Sequence, residues 1–278
     1  MATCLAARRA EDGVWVLTLR ASRASKDGEH ENRFTPELVR AVHAALDRVL
    51  DDESGKCCAV VLTGGDGKFF CNGHDAEWLV DAAARADGSA EAFLGGFYSL
   101  LARLMTFPVP TVACVNGHAF AGGLLLALAC DYRVMRSDKG LACMNEVDMA
   151  LVPAPPSDSK PALRPGMFRG ADRKMAAVVQ ARLAAPAARD VFLRGLRMSA
   201  SDAARLGVVD VAPSAPGYEA ALGNALALAK ALGQKCPARN RRTWFVLKHE
   251  LATAPVLRDL TAGGPPLSSF QGVVVAHL

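Results

Sequence analysis

The chain has 278 residues, 51% of them hydrophobic and 22% charged, with a formal net charge of +4. That balance gives a globular protein with a sizeable core and excludes a disordered or low-complexity chain. Lys and Arg are scattered rather than striped, so nothing points to nucleic acid, and the longest apolar run, Leu124 to Cys130, is far too short to span a bilayer. The first ten residues, with Arg8 and Arg9 and no continuous apolar stretch, do not read as a secretory leader. Of the eight cysteines, Cys57 and Cys58 are adjacent and the others far apart. No C-x-x-C and no Cys/His metal spacing occurs, so the expectation is small core hydrophobes in a reducing compartment and no metal site.

In chain order, Val14–Leu19 predicts a strand and Arg20–Arg33 a loop. Thr35-Pro36-Glu37-Leu38 reads as a helix start, with Leu38, Val42, Ala45, Leu46 and Val49 on one face. Ala59–Thr63 is a short buried strand. A helix is expected from Ala76 with Asp75 as its N-cap, a mobile loop over Arg85–Ser89, and a second helix over Ala90–Met105. Thr111–Val115 and Tyr132–Met135 are strands on either side of a hydrophobic helix, Gly122–Cys130. The alternation argues for an α/β fold with crossover connections. Beyond residue 166 the pattern turns helical. A capped helix starts at Ser199 and stops at Gly207, Val208–Val211 is a short return strand, and helices follow over 216–234 and 241–252.

Two loops share one chemical logic. Gly73-His74-Asp75 and Ala121-Gly122-Gly123 each bring a small or flexible backbone to a helix start. Unsatisfied N–H groups there carry partial positive charge, and two converging on one point would hold an oxyanion.

The order Phe70-Cys71-Asn72-Gly73-His74-Asp75, then Val115-Asn116-Gly117-His118-Ala119-Phe120-Ala121-Gly122-Gly123, then Cys130-Asp131-Tyr132-Arg133 resembles the crotonase (enoyl-CoA hydratase/isomerase) superfamily, over Val14 to Val211. The form Asn145-Glu146-Val147-Asp148 looks most like the plant-type peroxisomal Δ3,Δ2-enoyl-CoA isomerases. The resemblance implies an α/β fold with a ββα spiral core over 1–200 and a C-terminal helical, trimerising region over 201–278. It implies that the N–H groups of His74 and Gly122 form the oxyanion hole for a CoA thioester and that Glu146 is the acid/base. Arg33, Gly73, Asp75, Gly123 and Asn145 are placed around the substrate, with Arg33 at its adenine–phosphate end. No cofactor is implied, coenzyme A being part of the substrate, and the assembly would be a homotrimer or hexamer. The ending Ala276-His277-Leu278 resembles the small–basic–Leu address read by the peroxisomal import receptor.

Where hydratases of the superfamily carry a second glutamate, this chain has Leu125. Adding water needs a group to position and deprotonate it, whereas moving a double bond needs one base. The expected reaction is therefore a shift of a 3-cis or 3-trans double bond to 2-trans. Met144, Val147, Met149 and Leu151 give Glu146 an apolar setting expected to raise its pKa. Two alternatives stand beside this reading. One is a hydratase using Asp148, which shares a face with Glu146 if the segment is extended. The other is a CoA-ester binder without turnover, its pocket decayed around Pro153, Pro155, Pro156, Pro161 and Pro165, a density no regular helix supports. The rings of His74 and His118 are expected to be packed or solvated, and Asp131 to be structural.

Overall fold

The computed structural model describes residues 4–10, 12–20, 30–52, 58–148, 171–251, 257 and 260. A five-stranded sheet runs β1-β2-β3-β5-β7, from β1 (Leu5–Arg9), β2 (Val14–Leu19), β3 (Ala59–Thr63), β5 (Thr111–Val115) and β7 (Tyr132–Met135). Only β1 is antiparallel to its neighbour. Along these strands the side chains alternate. Leu17, Leu19, Val60, Leu62, Ala113 and Val115 face the main core, and Val14, Val16, Ala59, Val61, Val112 and Cys114 face a second one.

The main core is closed by α1 (Pro36–Leu50), α3 (Ser89–Met105) and α4 (Gly122–Ala129), together with α2 (Ala76–Arg85), α5 (Ala171–Arg182), α6 (Ala185–Leu193) and α7 (Ala200–Arg205). The second face is covered by α8 (Tyr218–Lys235) through Ala221, Leu222, Ala225 and Ala229. A further helix, α9 (Arg241–Leu251), is tied to the core by Lys248, whose Nζ lies 2.9 Å from Asp131. Asp131 also accepts from the Thr111 N–H and hydroxyl, the structural role expected of it.

The helix starts follow their caps: Thr35, Asp75 and Ser199 each accept a first-turn N–H. The stretch Arg85–Ser89 closes in a short turn, with Ala86 and Gly88 at positive φ between α2 and α3 and Asp87 accepting the Ser89 N–H. One expectation gives way here. Val208–Val211 makes a single bridge at Val211 instead of a strand, because the Arg133 carbonyl takes the N–H groups of both Asp210 and Val211. A second sheet, β4-β6-β8, is built from runs too short for a sequence period: β4 (Phe69–Cys71), β6 (His118–Phe120) and β8 (Ala142–Cys143). Among the described residues no helix is long and apolar enough to cross a membrane. The proline-rich stretch 153–165 and the last three residues lie outside the described residues.

Candidate active site

The small sheet builds the site. β4, β6 and β8 are parallel, with Phe69 paired to His118, Cys71 to Ala119 and Phe120 to Cys143. Parallel strands deliver their C-terminal ends to one edge, where ligands of such sheets bind. The three exits are Asn72-Gly73-His74, Ala121-Gly122-Gly123 and Met144-Asn145-Glu146. The Ala121 N–H continues the ladder by donating to the Cys143 carbonyl at 2.9 Å.

The first two loops are in contact. A methyl group on Gly73 would lie 3.2 Å from the Ala121 Cβ and 3.4 Å from the Gly122 nitrogen. Gly73 has φ +74, a conformation glycine adopts without strain. Ala121, with φ +49 and ψ −120, is strained at the N-cap of α4, and such strain concentrates at working loops.

The backbone aims the N–H groups. Phe34 forms a parallel bridge with His74, donating its N–H to the Gly73 carbonyl at 2.7 Å and accepting from Asp75 at 2.9 Å. In a parallel bridge the partner bonds to the flanking residues, so the N–H of His74 itself points away from that strand. Gly122 is the first residue of α4, where an N–H has no intrahelical acceptor. Among the described residues neither N–H has a backbone partner.

The His74 ring is packed, not solvated. Its centroid lies 4.4 Å from that of Phe97, 5.5 Å from Phe93 and 6.0 Å from Phe34. Burial holds it neutral, with its pKa pushed down to about 4. Its Nε2 is buried without a hydrogen-bond partner among the described residues. The His118 ring, at the opposite end of the small sheet, accepts the Leu141 N–H at Nδ1. Burial also keeps the nearby thiols protonated, pushing Cys71 up to about 12 and Cys143 up to about 11, which leaves no thiolate at the site near neutral pH.

The third exit carries Glu146 on a turn. Met144 is buried and Glu146 half-buried, but Val147 is exposed, and Met149 and Leu151 lie outside the described residues. The apolar setting expected from the sequence is therefore one-sided. The segment is a turn rather than extended, so Asp148 does not share a face with Glu146. Asp148 instead pairs with Arg197 at 3.4 Å. Leu125, one turn into α4, is completely buried in the main core.

The remaining candidates divide. The Asp75 carboxylate caps α2, its Oδ1 accepting the Trp78 N–H at 3.1 Å. Gly123 is required by packing, since any side chain there would collide with the Cys71 carbonyl. Asn145 is half-buried, its Oδ1 without a partner among the described residues. Arg33 donates from Nη1 to the His74 carbonyl and from Nε to Glu31. Glu31 and Asn72, which brace this loop, were not singled out in the sequence. Their only signal was proximity to Arg33 and Gly73. Among the described residues no cluster of three or more His, Cys, Asp or Glu could hold a metal ion.

Three strand exits at one edge of a short parallel sheet, two of them in contact and the third leading to Glu146, make this edge the candidate active site of a crotonase-type fold. The family model for enoyl-CoA hydratase/isomerase matches residues 9–158, and the chain belongs to that family. The chain is 35% identical to enoyl-CoA delta isomerase 3 of Arabidopsis thaliana over 212 residues, 74% of this chain and 81% of the relative. It is 32% identical to the peroxisomal enoyl-CoA delta isomerase 2 of the same plant, over 81% of this chain and 82% of the relative. A putative enoyl-CoA hydratase of Thermus thermophilus is 34% identical over 82% of this chain and 78% of the relative. Among solved structures, an enoyl-CoA hydratase from Mycobacterium marinum superposes with a TM-score of 0.70 at 20% identity, over 99% of this chain and 100% of that one. That likeness confirms the crotonase fold.

Proposed function

We propose that this protein is a Δ3,Δ2-enoyl-CoA isomerase. The substrate thioester carbonyl sits between the N–H groups of His74 and Gly122, which stabilise negative charge on its oxygen. The Glu146 carboxylate removes a proton from C2, giving a dienolate, and returns it to C4. The double bond moves from C3 to C2 with no net gain or loss of atoms. The observation that carries this reading is the contact between Gly73 and the Ala121-Gly122 peptide, beside the strand that leads to Glu146. The Gly73 carbonyl accepts from Phe34 at 2.7 Å, and this polarises the peptide whose N–H is the His74 donor.

Two features favour isomerisation over hydration. Leu125 is buried and apolar, and Asp148 is turned to Arg197, so neither supplies a second carboxylate beside Glu146. Glu146→Gln is expected to abolish isomerase turnover while leaving CoA-ester binding largely intact. Full activity in that variant sinks the assignment. Assaying 2-enoyl-CoA beside 3-enoyl-CoA separates isomerase from hydratase, and binding without turnover of either marks a decayed relative.

Exposed Val246, Leu247 and Leu251 on α9 support assembly into a homotrimer or hexamer, which sedimentation tests. The peroxisomal names of two plant relatives support a peroxisomal location.

A further inference from the structure

The back of the His74 loop is held by one short segment. Phe34 grips the Gly73 carbonyl, and Arg33 Nη1 donates to the His74 carbonyl at 3.3 Å, so residues 33–34 fix both peptides flanking the His74 Cα. Glu31 ties this segment to the loop. Its Oε2 accepts from Arg33 Nε and from Asn72 Nδ2, the latter at 3.0 Å, and its carbonyl accepts the Asn72 N–H at 2.9 Å. The Glu31 side chain is 17% exposed and that of Arg33 38%. Arg33 is therefore partly exposed, and among the described residues its Nη2 makes no hydrogen bond while Nε and Nη1 brace the loop.

A guanidinium is rigid and planar, so what binds its Nη2 also fixes the directions of Nε and Nη1. We propose that Glu31, acting through Arg33 and Asn72, is a positioning residue that couples engagement of the anionic nucleotide end of the substrate to the orientation of the His74 N–H. The inference rests on the reading of the substrate as a CoA ester and of His74 as an oxyanion donor. Binding energy from a remote, unreacting part of the substrate is then used at the reacting carbonyl and raises kcat rather than only lowering KM.

The test compares a 3-enoyl-CoA with the matching 3-enoyl-pantetheine thioester, which lacks the nucleotide. For the wild-type protein, kcat at saturation is expected to be about tenfold higher with the CoA ester. In Glu31→Gln, which keeps an acceptor for Asn72 but loses the carboxylate charge that faces Arg33, that advantage falls to about onefold, while the pantetheine ester is turned over as in wild type. Melting curves confirm that the variant folds. Equal kcat for the two esters in the wild type overturns the inference without any variant. So does a Glu31→Gln variant that slows both esters by the same factor, which marks a merely structural role. A wild-type protein that turns over neither ester removes the isomerase reading itself, and the coupling with it.

Discussion

The His74 imidazole lies against the Cα of Gly122. A methyl group at 122 would sit 3.0 Å from its Cε1, 3.2 Å from its Nδ1 and 3.4 Å from the Phe97 Cζ. The two residues proposed to donate to one oxyanion are thus also packed side chain against backbone. Phe34, Phe93 and Phe97 surround the ring, which therefore cannot yield. Gly122→Ala is expected to push the two loops apart and lower kcat about 10²–10³-fold, the effect of losing one oxyanion donor. Removing the ring makes room, so Gly122→Ala combined with His74→Ala recovers part of that loss. A double variant no better than Gly122→Ala alone overturns this packing argument.

The same ring predicts a pH dependence of stability. An unfolded histidine titrates near pH 6.5, while the folded His74 is held neutral down to about 4. Between those values the unfolded chain holds a proton that the folded chain does not, so stability falls as pH drops through the window, by about 3 kcal/mol in all. Burial lowers the His43 and His118 pKa values too and adds to the slope. His74→Phe fits the aromatic cage and removes a buried nitrogen that lacks a partner. Urea midpoints between pH 7 and pH 4 should show that variant about 1 kcal/mol more stable at neutral pH, with a shallower decline.

Lys248 and Asp131 form a buried pair that anchors α9 to the turn between α4 and β7. Burial lowers the Lys248 pKa, and the carboxylate opposes that shift. Lys248→Met leaves a buried carboxylate held, among the described residues, by the Thr111 N–H and hydroxyl, and is expected to cost about 3–5 kcal/mol. Adding Asp131→Asn should restore part of it, which thermal unfolding of the single and double variants measures.

Leu125→Glu asks whether the second carboxylate sets the reaction. The position is fully buried in an apolar core, so the new carboxyl is desolvated and its pKa raised. The expected outcome is a loss of several kcal/mol of stability together with a trace of hydration of 2-enoyl-CoA. A folded, CoA-binding variant with no hydration shows that a glutamate at this position is not sufficient.

The sequence by itself determined the long elements and the loops that carry chemistry. β2, β3 and β5 are runs rich in β-branched residues, and α1, α2 and α7 begin at Thr35, Asp75 and Ser199, whose oxygens accept the first free N–H groups. These signals are local, so one chain carries them complete. Tertiary structure alone decided the rest. β1 reads Leu-Ala-Ala-Arg-Arg and is a strand only because β2 pairs with it. β4, β6 and β8 are two or three residues long, too short for any periodicity, and exist through their ladder. Yet that ladder brings Gly73, Gly122 and the strand before Glu146 to one edge. The turn at 146–148, which sends Asp148 to Arg197, and the hold of Glu31 on Asn72 depend on partners dozens of residues apart. Hydrogen-bond directions and packing between distant segments are fixed only when the chain closes on itself, and in this protein they decide how the loops legible in the sequence become a site.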